Sequence, residues 1–115
     1  MKLRTFQFSV EVGKLIIELP YNVINKWYGG QVVRSSSSIG ANYRAARRAK
    51  SDADFLNKLK ICEEEADESI YFLELLKEFN TEFAEKIDSL LKEANELLKI
   101  IVASILTTKE RLNKK

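Results

Sequence analysis

The chain contains no histidine. This removes the side chain most often used as a general base near neutral pH, and with it both common catalytic triads. It also leaves a ferritin-like di-metal site without the nitrogen ligands of its Glu-x-x-His pairs. The single cysteine, Cys62, excludes an intramolecular disulfide and fits a reducing cytoplasm. No apolar run comes near the roughly 18 residues that a membrane span needs, and Met1 to Thr5 lack the charged, apolar and small-residue succession of a signal peptide. A cytoplasmic protein with no membrane partner is therefore expected. With one proline and four glycines among 115 residues, 45% hydrophobic and 31% charged, the balance is that of a helical protein and not of a disordered chain. The length predicts one domain over residues 1–115.

The net charge of +2 hides an asymmetry. Residues 1–50 hold nine Lys/Arg against two Glu, a net +7, while residues 51–115 hold ten against fifteen acids, a net −5. Two readings stay open: the first helix pair neutralises the second, or one surface is basic enough to attract polyanions.

The stretch Gln31 to Phe55, QVVRSSSSIGANYRAARRAKSDADF, organises the chain. At helical spacing Val32, Ser36, Ile39, Tyr43 and Ala46 form one stripe, and Gln31, Ser35, Ser38, Asn42, Ala45 and Ala49 its neighbour. The second stripe is small and polar, so a partner helix can approach closely while the hydroxyls bond back to their own carbonyls. The serines are thus read as a helix contact and not as a linker.

Upstream, Phe6 to Leu19 alternates at first like a strand but fits a helix with Phe6, Val10, Gly13 and Ile17 on one face, ended by Pro20. No second strand is available to pair with it, so a helix is chosen. Tyr21 to Gly30 reads as a turn and a first helical turn loosened by Gly29 and Gly30, with the regular second helix from Gln31 to about Ala49. Ser51, followed by Asp52 and Asp54, starts a third helix that runs to about Phe79 with Phe55, Leu59, Cys62, Ala66, Ser69, Leu73 and Leu76 on its apolar face. Asn80 is expected in the left-handed cap conformation, and Thr81 as the cap of a fourth helix from Glu82 to about Leu112, some 45 Å long. Between Leu97 and Leu106 this helix carries more aliphatic surface than one stripe needs. Either it lies centrally in its own bundle, or Leu98, Val102, Ile105 and Leu106 meet another copy.

The carboxylates Glu63, Glu64, Glu65, Asp67 and Glu68 invite a metal reading, but with no histidine and no calcium-binding loop, neither metal nor cofactor is expected. A face partly neutralised by the Arg44, Arg47 and Arg48 side of helix two fits them better. Gly29-Gly30 lacks the strand, spacing and lysine of a phosphate loop, and Cys62 sits on an apolar stripe, so enzymatic activity is not expected. What remains is the basic set Arg34, Arg44, Arg47, Arg48 and Lys50, suited to gripping phosphates through charge without reading sequence.

The stretch from Gln31 to Leu76, densest in the S-I-G-A-N-Y-R run within Arg34 to Phe55, resembles the signature of the bacterial four-helix-bundle proteins encoded in intervening sequences of 23S ribosomal RNA genes, the S23-like family. The resemblance implies an all-α, antiparallel up-down four-helix bundle assembling as a homopentamer. It also implies kinship with the accessory protein of diversity-generating retroelements, a pentameric barrel with a basic surface that binds nucleic acid and a reverse transcriptase. Ala45 and Glu64 depart from the family pattern as an apparent exchange of its interhelical pair, and Phe72 stands where Trp is frequent. Two functions follow as expectations: a non-catalytic oligomer binding RNA or DNA through helix two, or a structural or adaptor oligomer working through protein contacts.

Overall fold

A computed structural model describes residues 1–114. Four helices account for nearly all of them: α1 Lys2–Glu18, α2 Val23–Arg47, α3 Asp52–Phe79 and α4 Ala84–Asn113, with no strand among the described residues. Short connections force neighbours to run antiparallel. The ion pairs record that order: Glu18 of α1 meets Lys86 of α4, Lys77 near the end of α3 meets Asp88 near the start of α4, and Asp52 at the start of α3 meets Arg111 near the end of α4. The result is a rod of 52 × 21 × 19 Å.

The helix boundaries follow from local chemistry. Leu19 is extended at φ −65°, ψ 146°, the conformation that a following proline imposes, and Pro20 ends α1. Asn22 then accepts the Asn25 N–H at 2.9 Å and opens α2 at Val23, eight residues before the expected regular start. No glycine has positive φ, and Gly29 and Gly30 lie inside one continuous helix. Packing overrides their poor propensity: Gly29 is buried where α1 crosses, and a Cβ there would meet Ile16 Cγ2 at 3.1 Å. The second helix ends at Arg47, two residues before the expected Ala49.

Ser51 caps α3 as expected, accepting the Asp54 N–H at 3.1 Å, while the Asp54 carboxylate accepts the Lys50 N–H at 3.3 Å. The α3–α4 corner differs from expectation. Asn80 is not left-handed but sits at φ −136°, ψ 60°, and Thr81 makes no side-chain cap; residues Thr81–Phe83 form a single 3₁₀ turn before α4 begins at Ala84. Asn80 is instead recruited into the interior. Its amide exchanges reciprocal hydrogen bonds with that of Asn25, at 2.9 and 2.7 Å, and the two nitrogens also donate to Pro20 O and Leu76 O, each at 2.8 Å. This buried amide pair ties the α1–α2 corner to the α3–α4 corner.

The core is one cluster built from all four helices, with Phe8, Val12, Val32, Ile39, Leu59, Leu73, Ile87 and Leu97 almost wholly removed from water. The serine stripe lies between them. Ser35 Oγ and Ser69 Oγ share a buried 2.8 Å hydrogen bond across α2 and α3, and Ser9 Oγ donates to Ser36 O at 3.0 Å across α1 and α2. Of the predicted small stripe Ser35 makes the close contact with α3, while Ser36, from the neighbouring stripe, makes the one with α1. Asn42 satisfies its amide locally on Ser38.

In α1 the predicted face is turned outward. The buried side is Thr5, Phe8, Val12, Leu15 and Leu19, whereas Phe6 is 58% and Ile17 86% exposed, and the helix starts at Lys2 instead of Phe6. The sequence offers two apolar stripes here, and packing against α2 and α4 selects the second.

Candidate nucleic-acid interface

The topology decides which charges meet. In an antiparallel bundle of this order the start of α1, the end of α2, the start of α3 and the end of α4 share one end of the rod. That end gathers Lys2, Arg44, Arg47, Arg48, Lys50, Lys109 and Lys114, all exposed, beside Asp52, Asp54 and Glu110. The opposite end carries Glu18, Glu74, Glu78, Glu82, Glu85 and Asp88 against Lys26, Lys77 and Lys86, an acidic excess. Charge is thus separated along the rod axis as well as between the halves of the chain.

Local structure places the cations. Arg44 and Arg47 occupy the last turn of α2, where unsatisfied carbonyls make a partial negative charge that favours them by about 0.3–1 kcal/mol each. The turn closes as the Arg48 N–H bonds Ala45 O at 3.1 Å and the Ala49 N–H bonds Ala46 O at 3.0 Å. Thr5 packs against Gly40, and Ser9 bonds the Ser36 carbonyl, so the start of α1 comes level with Tyr43 and Arg44 and leaves Arg47 uncovered. Lys2 and Arg44 line one surface groove with Phe6, Ser37, Gly40 and Ala41, about 270 Å³ in volume.

The neutralisation expected between helix two and the acids of helix three occurs elsewhere. Arg34, two to three turns before the basic end, donates to Glu65 at 3.2 Å and to Glu68. Its hydrogen bond to Glu68 raises the guanidinium pKa, while burial pushes the Glu65 carboxyl up against the pull of Arg34. Among the described residues, Arg44, Arg47, Arg48 and Lys50 make no side-chain ion pair. Of the five predicted phosphate contacts, four therefore converge on one end, and Arg34 is separated from them and occupied. Lys2, Lys109 and Lys114 join the four and were missed. The up-down order of the helices was the signal that could have found them, since α2 and α4 run in the same direction and finish at the same end of the rod, at diagonal corners of it.

The four helix-four positions expected at an oligomer interface also divide. Ile105 is only 5% exposed and belongs to the core of its own bundle, because its stripe continues the line of Ala94, Leu97 and Ile101. Leu98 and Val102 are half-buried, and Leu106 is 59% exposed. On α1, Leu3, Phe6 and Ile17 are exposed, as are Tyr21 and Val33 beyond it.

Cys62 is fully buried, its Sγ donating to Ile39 O at 3.6 Å, and burial pushes its thiol up to about 11. Among the described residues no three acidic, cysteine or histidine side chains are placed to hold a metal ion, and no helix is long and apolar enough to cross a membrane.

A family model described as 23S rRNA-intervening sequence protein matches residues 2–103. A crystal structure of a protein with unknown function from the S23 ribosomal protein family of Bacteroides thetaiotaomicron is similar at 36% identity and a TM-score of 0.78, over 90% of this chain and 96% of that one. No curated protein matches the chain.

Proposed function

The chain belongs to the 23S rRNA-intervening sequence protein family, and from that membership we propose that it is a non-catalytic protein that associates with RNA or DNA through the basic end of its bundle, as a homo-oligomer. One observation carries the reading: Arg44, Arg47, Arg48 and Lys50 are gathered, exposed and without side-chain ion pairs among the described residues, at the same end of the rod as Lys109 and Lys114 of α4. Unpaired cations held on helix ends grip phosphates by counterion release, which gives affinity without sequence selectivity. In an assembly the same weak patch is repeated, and linkage of several contacts multiplies affinity.

A filter-binding titration against structured RNA and duplex DNA at several salt concentrations tests it. Arg47→Ala with Arg48→Ala is expected to weaken both and to lower the slope of log affinity against log salt by roughly 1.4–1.8, at about 0.7–0.9 per lost phosphate contact. Absent retention at low salt, or an unchanged slope, refutes the reading.

The outward apolar stripe of α1 favours a second reading, a structural or adaptor oligomer whose working surface binds protein. It predicts an assembly that light scattering finds unchanged at high salt, with no salt-sensitive polyanion binding.

A further inference from the structure

The groove between α1 and α2 at the basic end shares its small walls, exposed ring and lack of acids with the depression lined by Tyr21, Lys26, Gly29, Gly30 and Val33, and differs from it in carrying two cations. Its walls are small, with Ser37, Gly40 and Ala41 on α2; its rim carries the half-exposed ring of Phe6; its two charged residues, Lys2 and Arg44, are both cations. By contrast, the α1–α4 depression is lined by Glu11 and Glu18 as well as Lys14 and Lys86, and the depression at the α3–α4 corner by Glu74 and Glu78. The first turn of α1 carries neither an acidic residue nor a side-chain cap, so its amide end offsets the partial negative charge of the α2 carbonyl end beside Arg44.

An aromatic ring beside a narrow slot with cations at its edge is the combination that receives an unstacked base and its phosphate. Resting on the nucleic-acid reading above, we propose that this groove takes one nucleotide of a single strand, its base against Phe6 over Gly40 and Ala41 and its phosphate between Lys2 and Arg44. A paired base inside a duplex cannot enter, because its faces are already stacked. The basic end as a whole then holds either form by charge, while the groove adds a preference for unpaired segments, in RNA and DNA alike.

The test measures fluorescence anisotropy of the full chain with a labelled single strand of mixed sequence, as RNA and as DNA, and with the same strands annealed to their complements. Phe6→Ala is expected to weaken single-strand binding about 5- to 150-fold, the range of one aromatic–base stack, and to leave duplex binding within about twofold. Ala41→Leu, at an exposed position, fills the slot without changing charge and is expected to do the same. Arg47→Ala with Arg48→Ala weakens both probes. If Phe6→Ala and Ala41→Leu leave single-strand binding unchanged, or weaken both probes equally, the groove assignment is wrong and the basic-end reading stands. The groove assignment is equally wrong if these variants change the mass of the assembly and nothing else, which would make the face a contact between protein chains. If the wild-type protein binds neither probe, both proposals fall.

Discussion

Replacing Asn80 by alanine tests whether the two corners at the acidic end are fastened as one unit. The substitution removes both reciprocal bonds with Asn25 and the 2.8 Å bond to Leu76 O, and it leaves the Asn25 Oδ1 without its donor in a site where Asn25 is only 5% exposed. A buried polar group stripped of its partner costs about 1–3 kcal/mol, and the lost packing adds about 1 kcal/mol, so a total near 2–4 kcal/mol is expected. Asn25→Ala orphans Asn80 in the same way and should cost a similar amount. The double variant no longer buries an orphaned amide. Its cost should therefore fall short of the sum of the two by about 1.5–3 kcal/mol, a coupling well outside the error of additivity for independent sites. Urea unfolding followed by far-ultraviolet circular dichroism, on wild type, both single variants and the double, completes the cycle. Coupling below about 0.5 kcal/mol would show that the corners fold independently and that the amide pair is incidental.

Three further outcomes are expected. Cys62, with its thiol pushed up to about 11 by burial, should react with a thiol reagent only at the rate of opening of the bundle, and at once in denaturant; fast reaction of the native protein would contradict its placement. Gly30→Ala should stabilise by about 0.5–1 kcal/mol in the same unfolding assay, since a Cβ there meets nothing within 4 Å and the backbone is already helical. The hydrogen bond from Arg4 holds the Glu93 carboxyl below its ordinary range, so its stabilisation is present above that range and is lost as pH falls through the depressed value; Glu93→Gln should be less stable than wild type near neutrality and converge with it in acid.

The architecture is legible in the sequence wherever one signal dominates. Pro20 ends α1, Ser51 opens α3, and the spacing from Leu59 to Leu76 gives the buried face of α3 directly. Where two local signals compete, tertiary packing decides, and the sequence alone does not show the winner. In α1 two apolar stripes fit a helix equally well, and only the neighbouring helices select Phe8 and Val12 over Phe6 and Ile17. At Gly29 propensity argues for a break while the close passage of Ile16 argues for glycine, and the helix continues. At Asn80 the local preference for a cap loses to a partner 55 residues away. The candidate site shows the same division. The arginine cluster is visible as a run, but that Arg34 is neutralised by Glu65 and Glu68, and that Lys2, Lys109 and Lys114 lie at the same end of the rod, depends on how the helices are arranged.

Separation of charge along a 52 Å rod changes what the net charge of +2 means. The Debye length is about 8 Å at physiological ionic strength, so the two ends do not sense each other and a large ion meets one of them at a time. The protein should therefore be retained by both cation- and anion-exchange columns at neutral pH, more firmly than a uniformly charged protein of +2, and lose this double retention as salt rises. Its isoelectric point would be a poor guide to its purification.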